Sequence, residues 1–237
     1  DAASGAVFTR GDEAMTINGT VNKTGLLLLL VLVGAMLSWS RFSGPDSLPA
    51  MLPLVLGGAI GGLVLGLVTA FKKTWAPFTA PLYAVAEGLF IGALSAIFEL
   101  RYPGIVMQAV GLTFGTMAAM LLAYRSGLIR ATEKFKLGIV AATGGIMLLY
   151  LANFAMGLFG HSMGFINGSS GIGIAFSAVV VVIAALNLIL DFDLIETGAQ
   201  SGAPKYMEWY GAFALVVTLV WLYLELLRLL SKLQSRN

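Results

Sequence analysis

Long apolar runs, separated by short polar segments, dominate the chain. A helix that crosses a bilayer needs about 20 mostly apolar residues, and seven runs have about this length. They predict seven membrane-spanning helices, at residues 25–39, 50–71, 81–98, 104–124, 137–159, 171–194 and 206–230. The runs lack the alternation of apolar and polar positions, about ten residues long, that membrane β-strands show. The pattern therefore predicts an all-α integral membrane protein.

The segment before the first apolar run has a different composition. Residues 1–22 are rich in Gly, Ala, Asp and Thr, and they contain no apolar run of signal-peptide length. We expect this segment to be a poorly ordered amino-terminal arm and not a targeting signal. Residues 23–237 are then expected to form the transmembrane domain.

The Lys and Arg residues between the predicted spans indicate an orientation. One side of the membrane would carry Arg10, Lys23, Lys72, Lys73, Arg125, Arg130, Lys134, Lys136 and Lys205, and the other Arg41, Arg101, Arg228, Lys232 and Arg236. Short loops rich in Lys and Arg usually face the cytoplasm, so we expect a cytoplasmic amino terminus. The basic tail at residues 228–236 would face the other side, against the local rule.

Composition removes several classes of function. The chain has 237 residues, of which 58% are hydrophobic and 11% charged, and its net charge of +2 is too small to indicate nucleic-acid binding. It has no cysteine, which excludes disulfides and thiol nucleophiles. The only histidine, His161, lies in a Gly-rich loop, and the first lysine of the last span, Lys232, lies at its end. We therefore expect neither an intramembrane serine protease nor a retinal protein, no other enzyme activity and no tightly bound cofactor.

Small residues recur along the second predicted span. The repeat consists of Gly57, Gly58, Gly61, Gly62 and Gly66. Such spacing lets two helix backbones approach closely. We interpret it as a packing face, with a flexible gate as the alternative.

Acidic residues inside the predicted spans are the main candidates for a functional site. An ionised carboxylate in the bilayer core costs about 2.5 to 3.5 kcal/mol, so it usually faces a partner or a water path. Asp191 in the sixth span and Glu87 in the third lie at similar depths from the expected cytoplasmic side. Two carboxyl groups held close together can share a proton or exchange it for a cation. We predict that they form a pH-sensitive ion pathway and a weak Ca²⁺ site.

Helical periodicity predicts which side chains of the sixth span lie near Asp191. Asn187 is four residues earlier and shares its face, so its amide is predicted to join the site, whereas Asp193 points to another helix or the headgroups. Glu208, at the start of the last span, is the second candidate partner for Asp191. Its position is also explained by the macrodipole alone.

The remaining acids are expected to have structural roles before functional ones. Glu99 and Arg101 lie at the opposite end of the third span, on either side of Leu100. Glu225 lies near the far end of the last span, three residues before Arg228. This spacing predicts a local ion pair on one helix.

Several segments carry motifs of a known type. Residues 188–195, LILDFDLI, fit the pattern Leu-Tyr-Asp-x-x-x-Ile at its Asp and Ile, and they are followed near the end of the chain by residues 221–228, WLYLELLR. These segments resemble the sixth and last spans of the Bax inhibitor family, the transmembrane Bax inhibitor motif proteins. Further matches to the bacterial branch lie at residues 15–24, 87–99, 102–104 and 206–213. The resemblance covers nearly the whole chain from Met15.

The resemblance implies a bundle of six helices around a central last helix, in a bacterial plasma membrane. We expect a monomer or a homodimer. It also implies a pH-sensitive calcium leak channel for calcium homeostasis, in which an aspartate of the sixth helix and one of the last helix share a proton. Asp191 matches the first aspartate. For the second, one alignment gives Glu225 and the other Thr218, and the family's gating arginine has no secure match.

Two other functions stay open. Some relatives are implied to be non-transporting regulators that bind other membrane proteins, such as a protease or a cell-death partner. A proton/calcium antiporter would use the same acids, but an internal repeat expected of many transporters is not evident. The expected partners are accordingly the lipid bilayer, calcium ions and protons, with other membrane proteins for the regulator.

Overall fold

A computed structural model describes residues 14–161 and 163–236, with all their side chains except those of Leu48, Phe165 and Asn167. Its helices, in chain order, are α1 Ile17–Trp39, α2 Leu48–Phe71, α3 Ala76–Arg101, α4 Ile105–Arg125, α5 Glu133–Leu158, α6 Gly164–Asn167, α7 Gly171–Gln200 and α8 Met207–Gln234. Seven of these, all except the four-residue α6, are long and apolar enough to cross a membrane. Within the described ranges, this confirms the predicted all-α fold with seven spans.

Successive spans run in opposite directions, so the bundle has two distinct ends. We call the end where α1, α3, α5 and α8 begin the Glu208 end, and the end where they finish the Lys232 end. The first of these corresponds to the side that the sequence predicts to be cytoplasmic.

Helix α1 begins earlier than the predicted first span. Thr16 precedes it, and the Thr16 hydroxyl accepts a hydrogen bond from the Gly19 amide at 3.0 Å, as a favourable N-cap residue does. Met15 is 3% exposed and its amide donates to the Ala203 carbonyl oxygen at 2.7 Å. The last part of the predicted arm is therefore ordered helix and cap, and residues 1–13 lie outside the described residues.

Helix α7 is longer than the predicted sixth span. It begins after Ser170, whose hydroxyl accepts a hydrogen bond from the Gly173 amide at 3.2 Å. It ends at Gln200, six residues beyond the predicted boundary at residue 194. Asp191 therefore lies well inside a helix, about 13 Å from its end at 1.5 Å per residue.

Glycines bring α2 close to α3. A Cβ atom at Gly58 would overlap α3 around Phe90, one at Gly62 would overlap the Glu87 carboxyl group, and one at Gly66 would touch the Tyr83 ring. These three positions, spaced four apart, form the face of α2 that contacts α3. Gly57 has no such neighbour within 4 Å. A Cβ atom at Gly61 would also touch the Ala86 side chain, at 3.7 Å, so four of the five glycines pack as predicted, and Gly62 also makes room for an acid.

The spans differ in how many neighbours they have. Helix α8 packs against α1, α3, α4 and α7, and 61% of its most apolar window is buried, the largest share among the spans. Helix α2 packs mainly against α3, and α5 mainly against α7. A space between α2 and α5 is therefore not filled by direct packing of these two helices.

Candidate functional site

A cavity of about 600 Å³ lies beside α8 between α2, α3 and α7. Its polar side chains come from three helices and are Tyr83, Glu87, Asp191 and Thr218. The other lining residues are glycines and apolar side chains, and Met147 of α5 completes the wall. The two acids that the sequence singles out for matched depth therefore line one cavity.

Asp191 projects from α7 toward α8. Its Oδ2 atom is buried and has no hydrogen-bond partner within the described residues. The side chain of Thr218 lies next to the Asp191 carboxyl group, close enough to interact with it. A buried carboxylate oxygen without a partner can accept a proton or a cation, because such a group is costly to leave unsatisfied.

Glu87 reaches the cavity from α3 and is 9% exposed. Tyr83, one helical turn earlier, lies on the same side of α3 and packs edge-on against Phe213 of α8 at 5.0 Å between ring centroids. Across the cavity, Gly62 provides the space that the Glu87 carboxyl group occupies. Among the described residues, none forms a hydrogen bond or ion pair with the Glu87 side chain.

The cavity opens toward the outside of the bundle between α2 and α5. Its exposed large side chains are Leu63 at 63%, Leu67 at 49% and Met147 at 59%. These side chains are apolar, as a surface facing lipid tails requires. The acids therefore lie behind an apolar rim.

The lining of the cavity is acidic. Its lining contains two acids and, among the described residues, no lysine or arginine. Such a cavity attracts protons and cations. Calcium takes six to eight oxygen ligands, and two carboxyl groups with the Thr218 hydroxyl supply at most five, so water would complete the shell. The described residues contain no cluster of three or more His, Cys, Asp or Glu that could hold a metal ion.

Asn187 is not part of this cavity lining. Its amide nitrogen donates to the Thr143 hydroxyl at 2.9 Å and to the Ile183 carbonyl oxygen at 2.8 Å. Thr143 belongs to α5, so Asn187 joins α7 to α5 instead of facing α8. Asn187 shares a helix face with Asp191, but hydrogen bonds to Thr143 and to the helix backbone hold its amide away from the cavity.

Glu208 lies in a separate cluster at the beginning of α8. It is 0% exposed and forms ion pairs with Lys23 and, at 3.0 Å, with Lys205. Its Oε1 atom accepts hydrogen bonds from the Thr16 amide at 2.9 Å and from the Thr16 hydroxyl at 2.8 Å. Glu208 thus joins the beginnings of α1 and α8, and the structure does not bring it to Asp191.

Glu225 forms the local ion pair that its spacing predicts. Its Oε1 atom lies 3.0 Å from Nη1 of Arg228, and the Tyr150 hydroxyl donates to the same oxygen at 2.9 Å. Arg228 also donates to the Tyr150 hydroxyl at 2.6 Å. Glu225 is about 10 Å along α8 from Thr218, the residue that contacts Asp191.

The other predicted residues have assigned local partners. Glu99 accepts hydrogen bonds from the amides of Gly104, at 2.5 Å, and Val106, at 3.1 Å, and so caps the beginning of α4. Asp193 pairs with Lys136 of α5 at 2.8 Å, and therefore faces another helix, as predicted. Arg101 is exposed and lies near the Tyr102 ring, at 5.6 Å from its centroid.

Sequence reasoning did not single out two contributors to the cavity. Tyr83 precedes Glu87 by four residues, so helical spacing could have identified it. Thr218 entered only as one of two alignments of the last span, and its proximity to Asp191 depends on how α8 is rotated against α7. Hydrophobic periodicity gives little information about that rotation, because α8 is apolar on most sides.

Comparison with known proteins gives one match. A sequence model of the family described as Bax inhibitor 1 like matches residues 2–235. No curated protein and no solved structure matches the chain. The family match includes every residue of the cavity, and it confirms the resemblance that the sequence segments indicate.

Proposed function

The chain belongs to the Bax inhibitor 1 like family, and we propose that it is a pH-sensitive calcium leak channel. The ion path would pass the cavity that contains Asp191 and Glu87. The observation that carries the proposal is that two acids from different helices line one cavity without a basic residue among its described lining. Calcium is the transported ion in this account and not a resident cofactor.

The second acid of the site would come from α3 in this chain. The family pattern expects an aspartate on the last helix, and the residue of α8 next to Asp191 is Thr218. A threonine cannot share a proton with Asp191 as a carboxyl group can. Glu87 lines the same cavity and would supply the missing carboxyl group. We therefore infer that Glu87, and not Glu225 or Glu208, is the partner of Asp191.

Proton and calcium binding would compete in this cavity. At low pH a proton held between the two carboxyl groups removes negative charge and weakens calcium binding. At higher pH the proton leaves, and the carboxyl oxygens can replace part of the water shell of calcium. A site with few protein ligands also releases its ion easily, which conduction requires.

The distribution of Lys and Arg also gives the proposed channel an orientation in the membrane. The Glu208 end would face the cytoplasm, because the side with more Lys and Arg in short loops usually does. The resemblance to the bacterial branch favours a bacterial plasma membrane.

The first test is calcium entry into proteoliposomes that contain the purified full chain. Entry is measured from about pH 5 to about pH 8, the range in which a shared carboxyl proton is released. We expect pH-dependent entry with the parent, and Asp191→Asn should abolish it or make it independent of pH. Asp193→Asn is the matched control, since Asp193 is two residues away and pairs with Lys136.

The outcome distinguishes the channel from the regulator. Absence of calcium entry with the parent at every pH would contradict the channel and favour a regulator that acts by binding other membrane proteins. Entry that Asp191→Asn leaves unchanged would remove the acid from the path. Entry that requires an opposing proton gradient would favour the antiporter.

Two further variants identify the partner acid. Glu87→Gln should alter the pH dependence of calcium entry, whereas Glu208→Gln in protein that remains folded should leave it unchanged. The opposite result would assign the second acid to Glu208. Calcium entry unaffected by Glu87→Gln would exclude Glu87 from the site.

A further inference from the structure

A second cavity, at the Lys232 end, has a basic lining, whereas the lining of the first cavity is acidic. Its volume is about 380 Å³, and it lies between the ends of α3 and α8 and the segment around α6. Three basic side chains, three serines and a tyrosine provide its polar lining: Arg101, Arg228, Lys232, Ser169, Ser231, Ser235 and Tyr102. No acidic residue is part of this lining within the described residues.

Lys232 brings a buried positive charge to this cavity. It is 4% exposed, and its ammonium group donates to the carbonyl oxygens of Ile166, at 2.7 Å, and Gly173, at 3.0 Å. A third hydrogen bond goes to the Ser177 hydroxyl at 2.8 Å. All three acceptors are neutral, so the hydrogen bonds satisfy the ammonium group without cancelling its charge.

Arg101 and Arg228 add to this charge to different extents. Arg228 is paired with Glu225 at 3.0 Å and is therefore largely neutralised. Arg101 forms no ion pair with a described residue. Glu99, two residues before it, uses its two carboxylate oxygens to accept the amides of Gly104 and Val106. The cavity therefore retains positive charge from Arg101 and Lys232.

Three hydroxyl groups lie beside these charges. The Ser235 hydroxyl lies 2.6 Å from the Ser169 hydroxyl and 3.0 Å from the Lys232 carbonyl oxygen, so the Ser169 hydrogen can point either to Ser235 or to a ligand. Ser231 donates to the Arg228 carbonyl oxygen at 2.9 Å. The Arg101 guanidinium group and the Ser169 hydroxyl therefore offer donors to an anion with several acceptor oxygens.

We propose that this cavity binds a phosphate group. Two sources offer the same chemistry, the headgroup of an anionic phospholipid and inorganic phosphate in solution. The cavity lies at the ends of membrane spans, near the level of lipid headgroups, and basic pockets between spans bind such headgroups in other proteins. Binding of an anion would also explain why basic residues lie at the Lys232 end. The sequence predicts that this end does not face the cytoplasm, and few Lys and Arg residues are expected on that side.

The test uses the purified full chain in an uncharged detergent. Its thermal unfolding midpoint is followed while inorganic phosphate replaces chloride at constant ionic strength. A parallel titration adds phosphatidylglycerol to the micelles, with phosphatidylcholine as the uncharged comparison. We expect a saturable rise of the midpoint, since a ligand that binds only the folded state stabilises it.

Arg101→Gln is the informative variant, because Arg101 is exposed and its loss breaks no ion pair within the described residues. It should raise the half-saturating ligand concentration by about fivefold or more, as expected for losing a charge-assisted hydrogen bond. Arg41→Gln is the control, since Arg41 is also an exposed arginine at the same end but does not line the cavity. Ser169→Ala should give a smaller increase than Arg101→Gln.

Each pattern of results has a defined meaning. Saturable stabilisation by phosphatidylglycerol alone assigns the site to a lipid headgroup, and stabilisation by phosphate assigns it to a small anion, provided that Arg101→Gln weakens the effect and Arg41→Gln does not. No saturable shift with either ligand would overturn the proposal. Shifts that Arg101→Gln and Arg41→Gln change equally would overturn it as well.

Discussion

Acidic side chains have different partners in two regions of the molecule. Glu208, at the beginning of α8, is 0% exposed and has two lysines and Thr16 as partners. Asp191 and Glu87 lie in a cavity where no basic side chain is found among the described residues. Both regions therefore bury carboxyl oxygens, and the presence of a basic partner separates them. A paired acid joins helices, whereas an unpaired one remains available to a proton or a cation.

The largest expected change in stability comes from Glu208→Gln. The variant leaves Lys23, whose side chain is 20% exposed, without its counter-charge. Losing one partner of a buried ion pair costs 3 to 5 kcal/mol, and the partial exposure of the lysines reduces this to about 2 kcal/mol. Thermal unfolding in detergent should show a midpoint about 4 to 8 °C lower.

Glu133→Gln is the control for that measurement, because Glu133 is 92% exposed and its one ion pair among the described residues is with Lys136. It should leave the unfolding midpoint nearly unchanged. If the two variants shift the midpoint equally, the cluster around Glu208 does not join α1 to α8 in the way described.

A smaller loss is expected from Gly62→Ala. The new Cβ atom would overlap the Glu87 carboxyl group, so Glu87 must leave its position or α2 must move away from α3. Overpacking of this kind costs about 1 to 3 kcal/mol, and flexibility of the Glu87 side chain favours the lower value. Thermal unfolding and calcium entry should both be affected.

The matched variant is Gly57→Ala, where no atom lies within 4 Å of the new Cβ. This change should be neutral or stabilise the helix by up to about 1 kcal/mol, since alanine is the better helix former. Equal effects of the two substitutions would mean that Gly62 does not hold space for Glu87.

The smallest change in stability is expected for the cavity acids themselves. Asp191→Asn and Glu87→Gln keep the size of the side chain and remove a charge that has no basic partner in the cavity. The unfolding midpoint should stay within about 2 °C of the parent, or rise, because a buried unpaired charge is unfavourable. A fall as large as that of Glu208→Gln would show that these acids stabilise the fold, and it would contradict the proposed difference between the two regions.

The spans and the main acid of the cavity could be predicted from the sequence. Runs of apolar residues indicate spans directly, and an acid such as Asp191 within or beside them is conspicuous. The beginning of α1 and the end of α7 could not be predicted as well. Both helices continue through polar residues that apolar periodicity ignores, and the start of α1 depends on the cap at Thr16.

The choice between partner acids needed the structure. Glu87 and Glu208 both belong to the half of the bundle nearer the Glu208 end, so depth alone does not separate them. Glu208 pairs with Lys23 and Lys205 and is therefore not the partner of Asp191 in this account. Lys23 is 185 residues away in sequence. Asn187 shows the same limit, because Thr143 of another helix fixes its amide.

The most direct test of the account is a double-mutant cycle of calcium entry into proteoliposomes. Asp191→Asn, Glu87→Gln and the double variant are compared with the parent over the same pH range. If the two acids hold one proton or one calcium ion together, the double variant should be no more impaired than the stronger single variant. Independent effects that multiply in the double variant would contradict a shared site.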